Sequence, residues 1–269
     1  MTELSCNFAG AIPITYDTCL GPNIFDHYGL AIASRAAAAN PANVLELAAG
    51  TGIATRHLRD RLPADVGLTA TDLNARMLNI ARAKFGAHEP ISFGHADAHQ
   101  LPYEDDSFDL IACQFGVMFF HNRIAAYKEA ARVVRPGGRI LFSTWSTQSE
   151  NPFSEIVHES LAAFFDFEPP EFYKTPYCQH DPDAVIADLA EAGLSDVIHT
   201  AIAASRKVKD YAIFAYGLIA GHPAFEAGQK RSRGPKAISD KIAARMRARF
   251  GPEPSQMPML AHMFEVPVM

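Results

Sequence analysis

The chain holds 269 residues, 48% hydrophobic and 20% charged, with a formal net charge of −6, values of a folded chain long enough for one full α/β domain plus an appendage. The acidic balance argues against bulk nucleic-acid affinity, which needs a positive footprint. No apolar run reaches the ~18 residues of a membrane span. The start M-T-E-L-S-C-N-F lacks signal-peptide character, and Cys6, Cys19, Cys113 and Cys178 lack C-x-x-C spacing. The expectation is therefore a cytoplasmic protein with no nucleic-acid partner, integral membrane segment, metal site or disulfide framework.

Residues 1–28 mix aromatic side chains with Gly and Pro breakers, which is awkward for regular structure. So many apolar groups are out of place in a free tail. The segment is either a packing arm or a lid over a ligand pocket, with Tyr16 and Phe25 facing in. Residues 29–39 form an alanine-rich helix that stops before Asn40-Pro41. The next stretch, V-L-E-L-A-A-G-T-G over Val44–Gly52, reads as a short buried strand and a small-residue turn. A helix carrying Ile53, Leu58 and Leu62 follows. A turn without bulky Cβ groups lets the backbone approach a ligand closely. Asp72, about 20 positions on, closes a second strand from Gly67, where a carboxylate can bind the two hydroxyls of a ribose.

Asn74 caps a helix through Met77 and Ile80 to Phe85, ended by Gly86; Met77 is either core or an adenine-facing side chain. A third strand, Ile91–His95, leads to Ala96-Asp97-Ala98 and brings a second carboxylate to the same edge. A fourth strand (Phe108–Gln114), a helix, the turn Arg135-Pro-Gly-Gly-Arg139 and a fifth strand follow. Taken alone, the glycine turn leaves two cofactors open. A nicotinamide or flavin dinucleotide site wants G-x-G-x-x-G/A, but Thr55 puts a β-branched side chain in the third place, where room is needed.

Four motifs stand in order over about residues 44–145: E-L-A-A-G-T-G, A-T-D-L-N-x-x-M-L, A-D-A-x-x-L-P-Y-x-D-x-S-F-D and E-A-A-R-V-V-R-P-G-G-R. Together they resemble the class I S-adenosylmethionine-dependent methyltransferases, nearest the bacterial small-molecule group that includes the ubiquinone and menaquinone C-methyltransferases. The resemblance implies an α/β, Rossmann-like sheet, mostly parallel with an antiparallel last strand, plus an N-terminal lid and a C-terminal helical insertion. It implies S-adenosyl-L-methionine as cofactor and S-adenosyl-L-homocysteine as product. Ala48, Gly50, Thr51 and Gly52 would line the methionine part and Asp72 would take the ribose. Leu73 and Met77 would sandwich the adenine, Asp97 and the Ala98 backbone would read its edge, and Gln114 would approach the methionyl group, with Tyr16 above in the lid. The chain then divides into a lid or arm (1–28), a cofactor-binding core (29–146) and substrate-side helices and final strands of the same domain (147–269). One departure stands out. Quinone C-methyltransferases share a Gly-Leu-Arg-Asn run after the fourth strand, whereas this chain has Gly116-Val-Met-Phe-Phe-His-Asn, and the missing arginine argues against a quinone acceptor.

Beyond residue 146 the chain is rich in aromatics: Phe153, Phe164, Phe165, Phe167, Phe172, Tyr173 and Tyr177. They are either the apolar face of a helix from Pro152 to Phe165 or an aromatic wall for a planar acceptor. Asp181 to Ala192 reads as a helix, Asp196 to Ala203 as a strand, and Met257 to Val268 as the last strand. Basic residues dominate 206–249, with Lys241, Arg245 and Arg249 on one stripe: a solvated face, or attraction for an anionic acceptor or a membrane surface. His27, His121, His158, His180 and His222 are candidate bases by type alone, and none is singled out. The expected activity is methyl transfer to a small apolar or aromatic metabolite. A nicotinamide-dependent oxidoreductase and a non-catalytic cofactor-binding protein are the alternatives. Acceptor atom and oligomeric state are not legible.

Overall fold

The run Phe108–Gln114, buried at every position but the last, is the middle strand of a seven-stranded sheet. The computed structural model describes residues 10–163, 173–221 and 235–269. Its strands are β1 (Asn43–Glu46), β2 (Gly67–Asp72), β3 (Ile91–His95), β4 (Phe108–Gln114), β5 (Val134–Trp145), β6 (Ile198–Val208) and β7 (Ser255–Pro267), in the spatial order β3-β2-β1-β4-β5-β7-β6. The first five pair in parallel; β7 runs antiparallel to both β5 and β6. The last strand is thus antiparallel, as the sequence motifs imply. Strands β1 and β4 are neighbours whose following elements diverge, so the carboxyl ends of the strands open a crevice at this switch point. Register aligns those ends: Asp72 faces His95, Glu46 faces both Ala70 and Ala112, and Gln114 faces Ser143.

The α-helices among the described residues are α1 (Ile12–Thr15), α2 (Asp26–Ala38), α3 (Ile53–Arg61), α4 (Ala75–Ala83), α5 (Arg123–Val133), α6 (Pro152–Ala162), α7 (Pro182–Glu191), α8 (Tyr211–Ala220) and α9 (Pro235–Phe250). Several begin where a side chain takes up the free N–H groups of the first turn. Asn74 accepts from Arg76 and Met77, Asn122 from Ala125, and Asp210 from Ala212 and Ile213. On one side of the sheet Ile32, Ala33 and Ala36 of α2 pack with Ala54 and Leu58 of α3 against Val44, Leu110 and Leu141. On the other, Ala126, Ala130 and Val133 of α5 and Val185 and Leu189 of α7 cover Leu45, Ile111, Phe142 and Phe264.

The N-terminal segment departs from the irregular chain expected of it. From Ile12 to Ala38 the backbone is helical throughout, α1 and α2 being joined by a π-helical stretch, Tyr16–Phe25. Pro13 sits in the first turn of α1, where its missing N–H is no loss, and the wide π turns accommodate Pro22. Leu20, Ile24, Phe25 and Tyr28 enter a third core with Phe153, Phe214, Ile238 and Ile242. Residues 28 and 29 both lie within α2. The Pro-Gly-Gly run likewise falls inside β5, bulged out between the pairs Val134–Phe108 and Arg139–Leu110.

Candidate cofactor and acceptor site

The turn after β1 needs two unusual conformations: Ala48 has φ +52° and Gly50 φ +57°. It is held open by Asp72, whose Oδ2 accepts from Gly50 N–H at 2.8 Å while Oδ1 accepts from Asn74 N–H at 2.7 Å. An ionised carboxylate has about four acceptor positions, so Asp72 retains two for a diol. Burial pushes its carboxyl up, and the Asn74 and Gly50 amides pull it back.

Ala48, Gly50, Asp72, Leu73, Met77, Asp97, Ala98, Gln114 and Tyr16 all line one cavity of about 480 Å³, within the range of small-molecule sites. Met77 is buried, whereas Leu73 is 49% exposed at the mouth. Gly116 forms part of the wall; a Cβ there would stand 2.5 Å from the Ala48 Cβ. Thr51 lines a smaller adjoining cavity of about 40 Å³ with Glu46, Phe25 and Ala54, which shares Tyr16, Ala48, Gly50 and Gln114 with the first. Gly52 is in neither. It opens α3 with φ +81°, and a Cβ would meet Ala81 at 2.8 Å, so its smallness serves α3–α4 packing.

Glu46 and His99 line the site without having been singled out from sequence. Glu46 is 2% exposed, its Oε2 has no hydrogen-bond partner among the described residues, and burial pushes its carboxyl up to about 8, tempered by the Thr55 hydroxyl. A lone charge within a buried four-residue strand was the available clue. Thr51 Oγ1 is likewise buried and unpartnered among the described residues. At the opposite end Asn122 N–H donates to His99 Nε2 at 3.3 Å, which leaves the Nδ1 proton to donate to Asp97 Oδ1 at 2.6 Å. Burial pushes the Asp97 carboxyl up, but the His99 amide and imidazole outweigh it and hold the group below the usual carboxylate range. His121 stacks on His99 at 3.7 Å.

Beside this polar cavity lies an apolar one of about 90 Å³. Its walls include Phe25, Trp145, Phe153, Tyr173 and Tyr177, and it shares Tyr16, Phe115 and Phe119 with the larger cavity. Phe115 is held at φ +53°, its ring stacked on Trp145 at 4.0 Å. A positive φ on an aromatic residue is a strained conformation of the kind found at functional sites. Tyr16 stacks on Phe25, and Gln114 Nε2 donates to the Phe25 carbonyl at 2.8 Å, tying the N-terminal helix to the end of β4. Phe153, Tyr173 and Tyr177 line this cavity, and Phe153 and Tyr173 also belong to the third core; Phe164, Phe165, Phe167 and Phe172 lie outside the described residues. No helix among the described residues is long and apolar enough to cross a membrane.

An open sheet of this order, with a glycine turn after β1 and carboxylates after β2 and β3, defines a Rossmann-like class I methyltransferase fold. Residues 45–142 match the family described as "Methyltransferase domain". A demethylmenaquinone methyltransferase of Deinococcus radiodurans is 36% identical over 127 residues, 47% of this chain and 52% of that protein. A ubiquinone/menaquinone biosynthesis C-methyltransferase of Pseudomonas aeruginosa is 37% identical over 116 residues, 42% of this chain and 45% of its own. The chain thus spans about half the length of these curated relatives. Among solved structures, the YcgJ protein of Bacillus subtilis superposes with a TM-score of 0.56 at 18% identity over 90% of this chain and 98% of its own. A Haemonchus contortus phosphoethanolamine N-methyltransferase, solved with S-adenosylhomocysteine, gives 0.61 at 15% identity over 98% of this chain and 59% of its own. At such identities the likeness is one of fold.

Proposed function

We propose that the protein transfers a methyl group from S-adenosylmethionine to a small apolar or aromatic acceptor. The observation that carries this is the shared wall. Tyr16, Phe115 and Phe119 stand between a cavity with nucleoside-binding chemistry and one lined by aromatics. When bound, S-adenosylmethionine supplies a sulfonium methyl open to in-line displacement. The residues present fit it: Asp72 would hold the ribose diol, Asp97 and Ala98 the adenine edge, and Leu73 and Met77 its faces. Glu46 Oε2 and Thr51 Oγ1, without partners among the described residues, would with Gln114 receive the charged methionyl end. Tyr16 stays a neutral phenol, because burial and the nearby Asp72 and Asp17 charges push its ionisation up. It therefore shapes the passage between cavities without adding charge.

The protein's contribution is positioning and exclusion of water. Reacting atoms must be held about 3–3.5 Å apart in line, and a buried aromatic surround keeps water from competing for the methyl group. The π-helical segment acts as the lid, anchored through the Gln114–Phe25 bond. The names of the curated relatives point to quinones. Against that reading, no arginine is among the described residues lining the aromatic cavity, which is small, so the acceptor proposed here is a smaller metabolite of the cytoplasm. A methyl-transfer screen with labelled S-adenosylmethionine against a metabolite library tests the reading. Label should pass to aromatic or apolar compounds. Cofactor binding with no transfer to any of them would instead favour a non-catalytic binding protein.

A further inference from the structure

We infer that the acceptor is a hydroxyarene and that His158 is the catalytic base that takes its hydroxyl proton. This rests on the methyl-transfer reading above and adds the acceptor class and the group that meets it. Helix α6 begins at Pro152, so Phe153, Ser154, Val157 and His158 recur on one helical face, and all four line the aromatic cavity. The helix is fixed at both ends. Asn151 exchanges hydrogen bonds with the Leu260 backbone of β7 (3.1 and 3.0 Å), and Arg245 of α9 reaches Ser160 at 3.1 Å and pairs with Glu159. The His158 Nδ1 is buried and has no hydrogen-bond partner among the described residues. A buried polar atom left in this state is costly unless a ligand completes it.

Elimination gives the role. Among the described residues lining this cavity there is no Asp, Glu, Lys, Arg or Cys. Burial pushes the hydroxyls of Tyr173 and Tyr177 up, so they remain donors. An imidazole is the side chain that exchanges a proton near neutral pH, and of the ten described histidines His158 alone faces this space, His99 and His121 lining the cofactor cavity instead. A hydroxyarene and a sulfonium yield a methyl ether, a neutral thioether and one proton. That proton is the one His158 accepts and then releases to solvent.

The test uses phenol and pentafluorophenol, the second already ionised at neutral pH and in no need of a base. Wild type and His158→Gln are first compared by melting temperature and S-adenosylhomocysteine affinity, both expected to be unchanged. The variant should then lose about 10²–10⁴-fold in methyl transfer to phenol and little toward pentafluorophenol. Independently of turnover, titrating phenol into ¹⁵N-histidine-labelled protein should shift the one imidazole signal that is missing in the variant. An equal loss for both acceptors, no loss, or no shift of that signal overturns the assignment of His158. Transfer to neither phenol by the wild type overturns the acceptor class. Failure to bind S-adenosylhomocysteine at all sinks the methyl-transfer reading beneath it.

Discussion

The two cavities meet at one wall but are assembled in different ways. The cofactor cavity is built from loops at the carboxyl ends of consecutive parallel strands, so its residues fall between Leu47 and His121 apart from Tyr16. The aromatic cavity draws on the π-helical segment, the turn after β4, α6, the Thr175–Tyr177 turn and Leu218 of α8, a span from residue 16 to 218. One is a set of backbone contacts and carboxylates added to a sheet that stands without them. The other is a gap in the third hydrophobic core, whose members include Leu20, Phe25, Phe115, Trp145 and Phe153. Ligand binding and stability should therefore separate at the loop residues of the first region and be entangled at the core side chains of the second.

The largest expected effect exploits that entanglement. Phe153, 2% exposed and against both Trp145 and Phe214, should cost about 3–5 kcal/mol of stability on truncation to Ala, measured by denaturant unfolding. A loss of acceptor turnover with stability intact would show this region to be a detached pocket instead. Glu46 gives the next largest effect, of a few kcal/mol at most. Its folded carboxyl is raised, so the stability it contributes is present below the ordinary carboxylate range and lost as pH rises toward about 8. The melting temperature of Glu46→Gln should accordingly gain on wild type between pH ~4.5 and ~8 and level off above. A gap that narrows over that window would mean Glu46 has an unseen cationic partner.

Asp72→Ala should weaken S-adenosylhomocysteine by about 1.5–3 kcal/mol, the scale for hydrogen bonds to a charged group, at nearly unchanged stability. A matching fall in melting temperature would remove the contrast between the regions. The smallest effect concerns the shared element. Amide exchange around Tyr16 should slow a few-fold when S-adenosylhomocysteine is added, as for a lid that orders on binding, and equal exchange would reduce Tyr16–Phe25 to a packing arm.

The same contrast explains what could be read from sequence. Strands β2, β3 and β4 carry contiguous apolar or alternating runs ended by Asp72, His95 and Gln114, so their bounds and the carboxylates beyond them follow from local pattern. Gly50 and Asp72 stand 22 residues apart but in adjacent strand ends, a spacing set by one strand–helix–strand unit. The aromatic cavity has no such local rule. His158 is one of five histidines that residue type alone could not rank, and only the packing of α6 against α9 and β7 turns it inward. Phe115 was hidden for another reason: its positive φ is imposed by the tertiary structure around it. The helical character of Tyr16–Phe25 is not legible because Gly21 and Pro22 weigh against regular α-helix, whereas a wide π turn tolerates them.

The central claim is that the cavity after β1 and β2 is a site for the nucleoside of S-adenosylmethionine, and calorimetry tests it most directly. Titration of the whole chain with S-adenosylhomocysteine should give one saturable site that Asp72→Ala weakens, while NAD gives no heat of binding, because Thr55 is fully buried where a dinucleotide turn needs a small residue. Binding of NAD, or a folded protein that takes up no S-adenosylhomocysteine, would contradict the account.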